Sequence, residues 1–171
     1  MNKKSAGLPD LLDAISSGIG RATAWLTLLM VLVTFVVVVL RYAFSSGYIW
    51  LQESLTWMHA VVFMLGAAYT LQQEEHVRVD IFYRDMSRRR RAIVNGLGVL
   101  LFIFPLCGFF VYQCFGYASS SWAIGEVSRD SGGMPYPAIP LLKSLLILMP
   151  VTVALQGLSL LLRSWRDLRS Q

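Results

Sequence analysis

The sequence predicts an all-α integral membrane protein with four transmembrane helices and both termini in the cytoplasm. It also predicts a short N-terminal amphipathic helix at the membrane interface. Of the 171 residues, 56% are apolar and 15% are charged, and the mean hydropathy is +0.57. Soluble domains average about 45–50% apolar and about 25% charged residues. The composition therefore excludes a disordered chain, a charged nucleic-acid-binding module and an ordinary soluble enzyme domain.

Four long runs without formal charge predict the membrane spans. A helix needs about 20 largely apolar residues to cross the bilayer core. Segments of roughly ten alternating residues, typical of barrel strands, do not occur in the sequence. The predicted spans cover approximately residues 22–43, 52–73, 92–124 and 141–163. In this organisation residues 1–21 form a cytoplasmic leader, residues 22–168 a single membrane domain, and residues 169–171 a cytoplasmic tail.

The basic residues predict the orientation of the spans. Twelve of the 15 lysine and arginine residues lie in segments 1–21, 74–91 and 163–171. The other two loops contain the remaining three. Because cytoplasmic loops carry the excess of positive residues, both termini are expected in the cytoplasm. The loop at 126–140, which is rich in glycine and proline, is expected to form an ordered outer connection.

Residues 8–20 predict a short amphipathic helix that lies on the inner membrane surface before the first span. Apolar residues recur there at helical spacing, namely Leu8, Leu11, Leu12, Ile15 and Ile19. Pro9 suits the first turn of a helix. The alternative is a disordered leader that contains some leucines.

The third predicted span is too long for a helix perpendicular to the membrane. Residues 92–125 carry no formal charge over 34 positions, which corresponds to roughly 50 Å of helix. The helix is therefore expected to tilt, to protrude outside, or to break near Pro105. Pro105 and Pro150 are interpreted as simple kinks in the third and fourth spans.

The sequence predicts no catalytic, cofactor or metal site. A haem held by two histidines would need His59 and His76 to face each other at membrane depth. Cys107 and Cys114 lie about 10 Å apart along one helix, beyond the reach of a disulfide. They are interpreted as packing residues.

Charged residues also limit the function classes. The arginine run at 88–91 lies at the cytoplasmic mouth of a span, where it is expected to contact anionic phospholipid headgroups and not nucleic acid. The uncharged cores of the spans contain no acidic residue, whereas intramembrane ionisable groups mark ion pathways. This argues against a small autonomous exporter.

Two charged residues near the outer membrane surface suggest a contact. Arg41 ends the first span and Glu53 begins the second, so a pair between them is expected. The alternative is that each side chain reaches the interface independently. His59, in the second span, is expected to serve in structural hydrogen bonding.

An ordered set of short motifs resembles the small membrane subunit of tripartite ATP-independent periplasmic (TRAP) transporters. The motifs are RYxF at Arg41–Phe44, WLQE at Trp50–Glu53, LGAA at Leu65–Ala68, HVRVD at His76–Asp80, ExS at Glu126–Ser128 and GGMPYPAIP at Gly132–Pro140. An LQGL follows in the last span. The resemblance covers approximately residues 22–168.

The resemblance implies a non-catalytic scaffold subunit in the inner membrane of a bacterium. It implies two partners, a separate large multi-span subunit with the substrate and sodium sites, and a periplasmic substrate-binding protein that delivers a small organic acid. The family-pattern positions, expected to be structural or at the subunit contact, are Arg41, Tyr42, Trp50, Glu53, Gly66, His76 and Asp80. A membrane-anchor or electron-transfer subunit of a respiratory complex is the alternative.

Overall fold

The computed structural model describes residues 7–73 and 86–169 of the chain. Their fold consists of four long helices, each long and apolar enough to cross a membrane. The helices are α1 (Leu8–Ala43), α2 (Ile49–Gln72), α3 (Arg88–Ala123) and α4 (Ala138–Arg169). The all-α class with four candidate spans is thus confirmed. Helix α1 begins 14 residues before its predicted span and α4 ends six residues after its own, whereas α2 and α3 match their predicted spans to within four residues.

The helix predicted for residues 8–20 is the first part of α1 and not a separate element. The chain is helical without interruption over Leu8–Ala43. Its orientation also differs from that of a surface helix, because Asp13 and Ser16 are buried while Leu11 and Ile15 are exposed. The reason is that the polar side chains find hydrogen-bonding partners on α4, so the polar face of α1 packs inward.

Helix α3 passes Pro105 without breaking. A π-helical turn covers Val99–Ile103, and the Phe104 N–H donates to the Val99 carbonyl five residues back. Proline lacks an N–H and its ring clashes with the preceding turn of a regular helix. The wider turn accommodates this conflict. At 36 residues α3 is about 54 Å long, so it must tilt or project beyond the bilayer core.

Helix α4 lies at the centre of the bundle and contacts each of the other three helices, while α1 also contacts α2. In the most apolar 18 residues of α4, 28% are buried, against 6% for the corresponding stretch of α1. Pro150 is fully buried inside α4 without ending it. Most of the apolar surface of α1 therefore faces outward.

Glycines allow two of the close helix contacts. A Cβ added at Gly20 of α1 would overlap the ring of Tyr69 on α2. A Cβ added at Gly157 of α4 would lie 3.2 Å from a methyl group of Ile103 on α3. Small residues let membrane helices approach closely, which is one of the main sources of their association.

Candidate subunit-contact site and its supporting clusters

A polar cluster, buried except for Arg163, joins the beginning of α1 to the end of α4. The Asp13 carboxylate accepts hydrogen bonds from Gln156 Nε2 at 2.9 Å and Ser159 Oγ at 2.7 Å, and it pairs with Arg163. Ser16 Oγ donates to Gln156 Oε1 at 2.7 Å. We call these five residues the inner cluster. The polar side chains of the cluster bond one another across the two helices and thereby hold α1 to α4.

The inner cluster was not recognised from the sequence. Asp13 was assigned to a surface leader, whereas its side chain is only 12% exposed in the bundle. The available signal was helical spacing on two helices: Asp13 and Ser16 are three apart, and Gln156, Ser159 and Arg163 follow one face of α4. A polar face on one apolar helix needs a polar face on another.

Glu53 fastens the loop between α3 and α4 to the start of α2. Its carboxylate accepts hydrogen bonds from Ser128 Oγ and, at 2.6 Å, from the Met134 N–H. A Cβ added at Gly133 would lie 2.8 Å from Glu53 Oε1 and would overlap Ser128. The Trp50 N–H donates to a carbonyl of the same loop at 3.1 Å. The absence of a side chain at Gly133 therefore lets the loop approach α2.

A second acidic residue, Glu126, holds the other side of this loop. It accepts a hydrogen bond from Ser121 Oγ at 2.7 Å and pairs with Lys143 of α4. The hydrogen bonds from these two donors, of which that from Lys143 has the larger effect, hold the pKa of the Glu126 carboxyl below its ordinary value. The Lys143 ammonium lies 4.0 Å from the ring centroid of Tyr117. The two glutamates thus tie the connection between α3 and α4 to α2, α3 and α4.

The expected pair between Arg41 and Glu53 is wrong. Arg41 is exposed, and in the part of the chain that the structure describes it forms no ion pair. It lies with Gln52 in a cavity of about 440 Å³ at the turn between α1 and α2. Gln52 and Glu53 are successive residues of a helix and so point about 100° apart. Glu53 consequently faces the loop while Gln52 faces Arg41.

The remaining family-pattern positions are dispersed. Tyr42 is 81% exposed and Trp50 is half-exposed. Gly66 lies on an open face, since a Cβ added there would meet nothing within 4 Å. His76 and Asp80 lie outside the described residues. The structure thus brings Trp50 and Glu53 together at the loop and places Arg41 and Gly66 elsewhere.

A line of mainly polar residues runs along the outward face of α2. We call it the α2 stripe, and it consists of Gln52, Thr56, His59, Phe63, Gly66 and Thr70. The alternating steps of four and three residues place all six on one face of the helix. Among the described residues no hydrogen bond reaches the His59 ring, which contacts Phe63 at a centroid distance of 6.5 Å.

Cys107 is buried and Cys114 is half-buried, and both are free thiols. Over residues 7–73 and 86–169, no group of three histidine, cysteine, aspartate or glutamate side chains is close enough to hold a metal ion.

Comparison with known families identifies a match over most of the chain. The family model described as "Tripartite ATP-independent periplasmic transporters, DctQ component" matches residues 30–169. This range includes the whole α2 stripe and the loop held by Glu53. No curated protein and no solved structure matches the chain.

Proposed function

Because the chain belongs to the DctQ family of TRAP transporter components, we propose that it is the non-catalytic scaffold subunit of a sodium-coupled secondary transporter. Membership makes it a transporter subunit and implies association with a DctM component and a substrate-binding protein. In this proposal the large membrane subunit holds the sodium and substrate sites. The present chain stabilises that subunit in the bacterial inner membrane during uptake of a small organic acid.

The observation that carries the proposal is which helix surfaces are used within the bundle and which remain exposed. Polar groups that point into the bundle, such as those of the inner cluster, are used to hold the helices to one another. The outward faces of α1, α2 and α3 remain broadly exposed. A bundle whose inward polar groups hold its own helices together and whose outer faces are exposed supports the role of a scaffold for a larger membrane protein.

The loop between α3 and α4 supports a role in docking the periplasmic binding protein. Glu53 and Glu126 fasten it from both sides, so it offers a stable shape. Its exposed apolar groups include Ile124, Val127 and Tyr136. In the proposed orientation this loop is periplasmic, both termini are cytoplasmic, and the exposed residues at 88–90 contact anionic phospholipid.

The orientation is tested by cysteine labelling in intact cells, in a background from which Cys107 and Cys114 have been removed. Ser131 and Ser87 make a matched pair because both are exposed serines, one in the loop and one before α3. A membrane-impermeant maleimide is expected to modify Ser131→Cys and not Ser87→Cys. Labelling of Ser87→Cys alone would contradict the proposed orientation.

The transport role is tested by reconstitution into liposomes with an imposed sodium gradient. The substrate is first chosen by screening carboxylates and sulfonates for thermal stabilisation of the periplasmic protein. Uptake is expected only when this chain, the large subunit and the periplasmic protein are all present. Sodium-driven uptake by this chain alone would contradict the scaffold role.

A further inference from the structure

The α2 stripe is a membrane-helix face whose composition the fold of the chain does not explain. We propose that it packs against the large membrane subunit, which presents a hydrogen-bonding side chain opposite His59 and an acidic side chain near Arg41. The proposal rests on the proposed function, because it takes the large subunit of the transporter as the occupant.

The geometry of α2 places the stripe away from the rest of the bundle. The buried residues Met58, Ala68 and Leu71 occupy the other side of the helix, which packs against α1 and α4. The helix has 24 residues and is about 36 Å long. The stripe extends from Gln52 to Thr70 and therefore covers most of the membrane thickness.

His59 makes a lipid covering unfavourable. It lies near the middle of α2, where the bilayer is most apolar, and its side chain is exposed. Ionisable residues in membrane helices almost always face other protein groups or a water-filled cavity, because hydrocarbon offers no hydrogen bond. Phe63 contacts the ring without satisfying its nitrogen atoms. A polar side chain from another protein would satisfy them.

The remainder of the stripe is suited to close packing by a helix. Gly66 has open space where a side chain would project. Thr70 Oγ1 donates to the Gly66 carbonyl at 3.0 Å, so its hydroxyl group is already satisfied. Glycine and threonine are typical of membrane helix interfaces, where they allow two backbones to approach.

Charge determines the choice between a large subunit and a second copy of this chain. The stripe continues at Gln52 into the cavity that contains the exposed Arg41. In a symmetric dimer within one membrane, the two copies of a residue lie at the same depth, and those next to the two-fold axis face each other. Arg41 would then approach Arg41, and His59 would approach His59. A different protein with an acidic side chain at this level fits better.

The test is photo-crosslinking in membranes that contain the complete transporter. Benzoylphenylalanine is placed at Phe63 in the stripe or at Phe102 on α3, whose side chains are 71% and 72% exposed. Both lie near the middle of their helices, and their exposure is matched. The expected result is a crosslink to the large subunit from Phe63 that is several-fold stronger than from Phe102. Thr56 serves as a second stripe position if the change at Phe63 impairs folding.

The outcomes separate the two proposals. A Phe63 crosslink to a second copy of this chain, or equal crosslinking from Phe63 and Phe102, would overturn the assignment of the stripe. If the large subunit co-purifies while neither stripe position crosslinks to it, the assignment fails and the scaffold role stands. If the large subunit does not co-purify with the unmodified chain, both proposals fail.

Discussion

The inner cluster and the α2 stripe are both polar surfaces on apolar helices, yet they differ in how their polar groups are satisfied. In the inner cluster, the Asp13 carboxylate receives hydrogen bonds from Gln156 and Ser159 and pairs with Arg163. On the stripe, His59 receives none from the described residues. Polar groups whose hydrogen bonds are satisfied within the chain hold its helices together, whereas in our proposal the unsatisfied His59 ring serves the contact with the large subunit.

The largest expected effect is in the inner cluster. Asp13→Leu removes the acceptor of the Gln156 amide, and an unsatisfied buried donor costs about 1–3 kcal/mol. It also removes one of the two acceptors of the Ser159 hydroxyl, which keeps its bond to the Pro9 carbonyl. The purified chain should therefore unfold at a clearly lower temperature or denaturant concentration. Asp10→Asn is the control, since Asp10 is exposed and, among the described residues, its side chain bonds only the Gly7 N–H. If the Asp13 and Asp10 variants unfold at the same temperature or denaturant concentration, the inner cluster does not stabilise the fold as proposed.

A second test concerns the packed side of α1. Gly20→Ala places a methyl group into the ring of Tyr69, and overpacking of this kind costs about 1–3 kcal/mol. Gly18 lies in the same helix, and a Cβ there meets nothing within 4 Å. Gly18→Ala should be neutral or stabilising by about 0.5–1 kcal/mol, because glycine is costly in a helix interior. Thermal unfolding of both variants measures the difference, and equal destabilisation would contradict the packing of α1 on α2.

A smaller effect is expected from Glu126, another group satisfied within the chain. Its folded-state pKa is lowered by hydrogen bonds from Lys143 and Ser121. Its contribution to stability is therefore present above the ordinary carboxyl pKa of 4.5 and is lost as pH falls through the lowered value. Lys143→Met should weaken this loss of stability on acidification. An unchanged dependence of the unfolding midpoint on pH would show that the contact contributes nothing.

The sequence was sufficient for the fold class because composition and the lengths of apolar runs are collective properties. It predicted the four long apolar helices and the glycine- and proline-rich connection between the last two without knowledge of contacts. The sequence indicated that Pro105 disturbs the third span, but it did not show whether the helix would break there or continue through a wider turn. In the structure a π-helical turn at Val99–Ile103 accommodates Pro105, and the helix continues.

Pairings between distant residues were harder to predict. Arg41 and Glu53 are close in sequence and opposite in charge, but the rotation of α2 directs Glu53 to Ser128 and Met134. The inner cluster joins residues separated by more than 140 positions. Such a pairing requires the relative placement of α1 and α4, which hydrophobic periodicity alone does not contain.

The most direct test of the central claim is to measure His59→Leu in two states of the same protein. The unfolding midpoint of the purified chain should remain unchanged, because His59 bonds no described residue. Association with the large subunit should weaken about threefold, as expected for the roughly 0.6 kcal/mol of an interhelical hydrogen bond in a membrane. Phe102→Leu is the control and should affect neither. A destabilised chain whose association with the large subunit is unchanged would contradict the claim that the α2 stripe serves assembly.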